Sequence, residues 1–132
     1  MANIVADTHV LLWMLGGTLR ERSQSAADAV DRALDANALY VSIGSFLDLR
    51  YLVDSGRLST QLFDDARSIV NGEPFTVVPL DLAVLDKMAA IPREKVPDPF
   101  DRIIAATALT LDLPLVSADE DIQGAIGERV VW

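Results

Sequence analysis

Short apolar runs alternating with helix-periodic segments constrain the fold of this chain more than any other feature. Ile4-Val5-Ala6, Ala38 to Ser42, Phe75 to Leu80 and Leu115-Val116 read as strands, with Arg129 to Trp132 as a short last one. Between them lie stretches with apolar residues at three- and four-residue spacing. These are Thr8 to Leu15, ended by Gly16-Gly17, and Ser25 to Ala36, where Asn37 is suited to cap. Ser45 to Ser55 stops at Gly56, Ser59 to Val70 stops at Asn71-Gly72, and Asp81 to Ala90 and Pro99 to Leu111 complete the set. Such alternation implies a parallel sheet with helices on both faces. The strands are short and continuously apolar, as expected when both faces are covered. The expected fold is α/β, a three-layer α/β/α arrangement with a short-stranded parallel sheet, as one domain over residues 1–132. Pro79 puts the third strand at an edge or marks its end. The Gly56-Arg57-Leu58 link folds the helices at 45–55 and 59–70 into an antiparallel hairpin.

Composition excludes several classes. With 51% apolar residues the 132-residue chain has enough to build a core. Its lack of cysteine rules out disulfides and thiolate metal sites and suits a reducing, cytoplasmic setting. The single histidine, His9, rules out a histidine-rich zinc site, and its turn of about 100° from Asp7 suggests a structural or surface role. The first basic residue is Arg20, unlike the start of a signal peptide, and no apolar run approaches the ~20 residues of a membrane span. Eleven basic and 20 acidic residues leave a net charge of −9, which alone argues against nucleic-acid binding. That objection weakens if several of the acids are metal ligands, since a bound dication inverts the local field.

Four acids stand where a parallel sheet would gather them. Asp7 closes the first strand, and Asp119 comes a few residues after the fourth. Ligands of open α/β sheets bind beyond the carboxyl ends of the strands. Asp101 has Ile104 and Ala105 at i+3 and i+4, so it lies on an apolar stripe and needs a partner. Asp48 shares a helical face with Ser45, Tyr51 and Leu52. It admits two readings, a buried ion pair with Arg50 or Arg102, or a ligand, and the other three acids favour the ligand. A hard divalent cation, Mg²⁺ or Mn²⁺, would compensate all four. Asp7-Thr8 also suits a helix N-cap, and the two roles are compatible. Asp98-Pro99-Phe100-Asp101 resembles a capping box with proline at the first helical position, so capping suffices for Asp98. Residues 117–121 read as a loop in which Glu120 and Asp121 are solvated, while Ser117 is placed to hydrogen-bond a carboxylate or a metal-bound water. Asp81 reads as a plain N-cap. Trp13, Phe46, Phe63 and Phe100 read as core.

These pieces resemble the PIN-domain family, in particular the VapC-type toxins of bacterial toxin–antitoxin pairs. The matching stretches are Ala6-Asp7-Thr8-His9-Val10-Leu11-Leu12-Trp13, Val41-Ser42-Ile43 leading to Asp48, and Leu52 to Leu58 with its Gly-Arg-Leu ending. Asp98-Pro99-Phe100-Asp101-Arg102 and Leu115-Val116-Ser117-Ala118-Asp119 complete the match. The resemblance implies a Mg²⁺- or Mn²⁺-dependent endoribonuclease whose acidic quartet is Asp7, Asp48, Asp101 and Asp119, with Asp98 accessory and Thr8 and Ser117 supporting. Two departures stand out. The family usually has Glu where this chain has Asp48, and a basic pair where this chain has Val96-Pro97. Arg102, Arg93 and Arg57 are the candidates to position phosphates. The implied partners are RNA, often tRNA, a second copy of the chain, and a cognate antitoxin. Phe46, Leu47, Tyr51, Leu58, Leu62 and Phe63 on the hairpin give that antitoxin an apolar surface.

Two alternatives remain. One is a PIN fold retained for binding with weak or no catalysis, an idea that rests on the shortened Asp48. The other is a phospho-acceptor receiver domain, which needs an acid pair near the first strand and a lysine ending a late strand. Here one acid ends the first strand, and Lys87 and Lys95 are not at strand ends.

Overall fold

The computed structural model describes residues 2–132. Five strands, β1 (Ile4–Ala6), β2 (Leu39–Ser42), β3 (Phe75–Val78), β4 (Leu115–Val116) and β5 (Val130–Val131), form one sheet in the order β3-β2-β1-β4-β5. Every neighbouring pair is parallel, with Val5 opposite Tyr40 on one side and Leu115 on the other. Among the described residues eight α-helices accompany them: α1 (Thr8–Leu15), α2 (Leu19–Arg22), α3 (Gln24–Asp35), α4 (Ile43–Asp54), α5 (Thr60–Ile69), α6 (Leu82–Lys87), α7 (Pro99–Leu111) and α8 (Glu120–Ile126). This is the three-layer α/β/α arrangement expected from the alternation, with β3 at an edge.

Side chains alternate across the strands and feed two cores. Ile4 and Ala6 pack with Val10, Leu11, Val30, Leu39 and Leu49 on one face. Val5 packs with Ile104, Leu115, Ile122, Val84 and Val96 on the other. Val96 is a fully buried member of the second core.

Two short helices go beyond the sequence pattern. The four-residue α2 lies in the connection between α1 and α3. The second, α8, replaces the loop expected at 117–121: Asp119 caps it, and Glu120 and Asp121 favour its first turn through the helix dipole. The acid cluster masks the apolar spacing of Ile122 and Ile126, both buried. Two elements are shorter than expected. β3 ends at Val78, before Pro79, and α6 gives way at Met88 to a 3₁₀ turn.

The close approach of α4 to α7 brings the helix of Asp48 against the helix of Asp101. Ser42 caps α4, its hydroxyl accepting from the Gly44 amide at 2.9 Å. The Thr107 hydroxyl donates to the Ile103 carbonyl at 2.8 Å and shares a 3.0 Å hydrogen bond with Ser42. Gly44 permits this packing, because a Cβ there would lie 2.9 Å from Ile103 Cγ2 and 3.1 Å from the Phe100 carbonyl oxygen.

Candidate active site

Beyond the carboxyl ends of β1 and β4 lies an open cavity of about 430 Å³. It is lined by five carboxylates, Asp7, Asp48, Asp98, Asp101 and Asp119, together with Thr8, His9, Trp13, Tyr51, Leu52, Arg57 and Ala118. The chain adds β2 and β3 on one side of β1 and β4 and β5 on the other. The cavity therefore sits at the point where strand order reverses, the usual ligand crevice of an open α/β sheet.

Three of the carboxylates open a helix with one oxygen. Asp7 Oδ1 accepts from the Val10 amide at 3.0 Å and Asp119 Oδ1 from the Ile122 amide at 2.9 Å. Asp98 Oδ1 accepts from Phe100 and Asp101 at 2.8 and 3.1 Å. These N-caps fix each side chain and leave its second oxygen available. Asp101, in the first turn of α7, and Asp48, in the middle of α4, have no such tether. The ion pair considered for Asp48 does not form: Arg50 lies 4.0 Å from Asp54, and Arg102 points elsewhere.

The charges are poorly compensated. Burial raises the Asp7 carboxyl above its ordinary range, with the Ser117 hydroxyl and the Val10 amide partly opposing the rise. Burial also raises Asp48, and the Asp98 charge adds to it. Asp101 is pushed up to about 7, first by burial and then by the charges of Asp98, Asp119, Asp48 and Asp7. Asp101 thus feels every other acid in the cavity.

The donor set fits a hard dication, since it consists of carboxylate oxygens and lacks soft ligands. Thr8 Oγ1 supports the fit. It is buried at the cavity wall and makes no hydrogen bond, although it lies near enough to Asp48 to favour that group's charge. Among the described residues, no three of the histidine and acidic side chains are gathered closely enough to hold an ion on their own. An ion here would use one or two carboxylates directly and keep waters on its remaining positions, the usual habit of Mg²⁺.

The other expected residues divide. Arg57 lines the cavity, its Nε donating to Ser55 at 3.1 Å. Arg102, expected to meet phosphate, does not line it. Its guanidinium donates to the Met88 and Ile91 carbonyls at 2.9 and 3.2 Å and so ties the 3₁₀ turn to α7. Arg93 is exposed in its loop and also lies away from the cavity. Ser117 is fully buried, with Oγ accepting from the Asp119 amide at 3.1 Å. Of the six hairpin residues, Leu47 and Tyr51 are exposed, whereas Phe46 is buried and meets Phe63 edge-to-face at 6.4 Å. Leu58 and Phe63 pack against the core, and Leu62 is half-buried. Trp13, expected in the core, packs against it while also lining the cavity. It stands one turn after His9, a spacing that puts both on one side of α1.

A parallel α/β sheet with a carboxylate-lined crevice at its switch point defines a class of acidic-pocket α/β proteins. The strand order also departs from the 2-1-3-4-5 order of receiver domains. The sequence pattern of the PIN domain matches residues 4–127, and the chain belongs to that family. Two solved structures share the fold. VapBC2 from Rickettsia felis, bound to a DNA fragment from its promoter, aligns with a TM-score of 0.68 at 12% identity over 96% of both chains. A toxin–antitoxin complex from Klebsiella pneumoniae aligns with a TM-score of 0.64 at 20% identity, over 98% of this chain and 97% of that one. No protein of curated function matches.

Proposed function

We propose that this chain is a Mg²⁺- or Mn²⁺-dependent endoribonuclease and the toxin of a type II toxin–antitoxin pair. The observation that carries the reading is the meeting of Asp7, Asp48, Asp101 and Asp119 in one crevice, with three of them raised by burial. The likeness of the whole chain to proteins from toxin–antitoxin complexes supports the biological role.

Asp7, Asp48, Asp101 and Asp119 would hold the ion, one or two of them directly and the others through its waters, with Asp98 accessory. When bound, such an ion supplies a water of lowered pKa and a positive charge near the departing oxygen of a phosphodiester. Asp7 and Asp119 are held rigid by their caps, so little reorganisation is needed on binding. Asp101, poised near neutrality, can hold a proton in the empty state and release it when a cation arrives. Arg57 is the cavity residue suited to orient a phosphate. No side chain need act as the general base, because the ion's water already has a lowered pKa.

The same acidity suits an antitoxin segment that brings Arg or Lys into the crevice in place of metal. Tyr51, which lines the crevice, and Leu47, exposed on the same helix, would take the apolar part of that segment. The reading includes a homodimer acting on structured RNA, with tRNA the first candidate, in the cytoplasm. Among the described residues no helix is long and apolar enough to cross a membrane.

The test is incubation of the purified protein with total tRNA in Mn²⁺, in Mg²⁺ and in EDTA, alongside Asp101→Asn. Internal cleavage with metal, absent in EDTA and in the variant, is the expected result. Cleavage that persists in EDTA or in Asp101→Asn overturns the mechanism. The absence of three pre-gathered ligands among the described residues favours one second reading, a PIN fold kept for binding. Tight capture of the antitoxin without cleavage of any RNA would select it.

A further inference from the structure

A row of aromatic rings runs out of the acidic cavity, and the chemistry assigned to the cavity leaves it without a role. His9 and Trp13 line the cavity with ring centres 5.7 Å apart. The Trp132 ring lies 5.4 Å beyond Trp13, tilted by 45°. Trp132 also walls a second open depression of about 280 Å³ with Gln123, Gly127 and Val130. Two distant segments, α1 and the residue after β5, thus make a continuous path from the carboxylates to a neighbouring hollow. The Arg22 guanidinium sits 4.2 Å over the Trp13 ring, and among the described residues it makes no ion pair. His9 is exposed, and Trp132 keeps 37% of its surface in water.

We propose that this row is a stacking track for unpaired bases that flank the scissile phosphate, with His9 at the cavity mouth and Trp132 as its outer platform. The inference rests on the nuclease reading of the cavity and names what that reading leaves open. An acidic chain of net charge −9 with one arginine in its cavity can attract few phosphates. Stacking on aromatic faces does not depend on that charge, because every base has a π face. Trp13 is braced by Arg22 and by both of its neighbours. Trp132 and His9 are the rings left for a base, one at the outer end of the row and one at the cavity mouth. A base-paired duplex offers its bases edge-on and cannot use such a row.

The experiment uses the full chain carrying Asp101→Asn, in Ca²⁺, with tryptophan fluorescence as the readout. The probes are a hexaadenylate RNA and an abasic ribose-phosphate hexamer. Hexaadenylate should quench the fluorescence and bind about tenfold more tightly than the abasic hexamer. Adding Trp132→Ala should remove most of that difference, and Trp132→Phe should retain it. In the otherwise native protein Trp132→Ala should raise KM for a loop-containing RNA and leave kcat near its original value. Equal affinity for the two hexamers, or equal behaviour of the Ala and Phe variants, overturns the track. So does quenching by a basic peptide alone, which would assign the row to a protein partner. Cleavage of RNA with no base-dependent binding leaves the nuclease standing and removes the track. Base-dependent binding at Trp132 without cleavage does the reverse.

Discussion

The loop leaving β4 and the loop leaving β3 are built alike. Each strand ends in a valine, Val116 or Val78, and the third residue beyond is an aspartate, Asp119 or Asp81. Each aspartate opens a helix through Oδ1, at 2.9 Å to the Ile122 amide and at 3.0 Å to the Val84 amide. Yet Asp119 faces four other carboxylates in the cavity, whereas Asp81 is exposed and lines none. The difference is place in the sheet. β4 pairs with β1 at the centre, so its carboxyl end opens on the crevice where strand order reverses, and β3 is an edge. The same local grammar therefore makes a cap at one site and a cap plus a candidate ligand at the other.

The sharpest way to break the comparison is to neutralise each acid while keeping its cap. Asparagine caps helices as well as aspartate does. Asp7→Asn and Asp119→Asn should lower RNA cleavage by roughly 100-fold or more, and Asp81→Asn should leave it within about twofold. Initial rates in Mn²⁺ check this. A comparable loss in Asp81→Asn would show that the cap, not the site, matters.

Two glycines extend the contrast to the helices. Gly44→Ala would place a methyl 2.9 Å from Ile103 Cγ2 and push α4, with Asp48, away from α7. Overpacking of this kind costs about 1–3 kcal/mol, and cleavage should drop by about tenfold. Gly124→Ala on α8 meets nothing within 4 Å and should be neutral or add up to about 1 kcal/mol. Thermal unfolding of both variants decides it.

Acidity gives the third test. Asp101 binds a proton up to about 7 in the fold but only up to about 4 when unfolded. Between those values the folded state holds the extra proton, so metal-free stability falls as pH rises through that window. Allowing for solvent screening, the loss is about 2 kcal/mol. Melts in EDTA should show it in the native protein and in Asp81→Asn, with a flatter curve for Asp101→Asn. Mn²⁺ should restore stability above pH 7 in the native protein by RT ln(1 + [L]/Kd), and far less in Asp101→Asn. Equal restoration in both would remove Asp101 from the metal site.

The smallest effect concerns the shortened acid. Asp48→Glu adds one methylene toward the cavity and should raise cleavage severalfold, whereas Asp48→Ala should lower it. Rates insensitive to both would make Asp48 structural.

Local signals in the chain determined a good deal of this. Strand–helix alternation and continuous apolar runs are set by backbone period and burial, so the parallel three-layer fold and the edge position of β3 were legible. So was the approach of Asp7 to Asp119, since an open α/β sheet gathers its strand ends, whereas Asp48 and Asp101, inside helices, were joined to them by the family resemblance. Capping chemistry marked Asp7, Asp81 and Asp98 as helix starts because N-caps act within four residues. Where the determinant is a partner distant in sequence, the chain alone was mute. Arg102 carries a charge that suits phosphate, but only the packing of α7 against the 88–91 segment sends it to the Met88 and Ile91 carbonyls. Trp13 has the composition of a core residue, and only the arrival of Trp132 and the opening of the cavity beside α1 make it a wall. Asp119 and Asp81 share their local pattern, and strand order alone separates them, because it fixes which carboxylates lie close enough to repel one another and to share a cation.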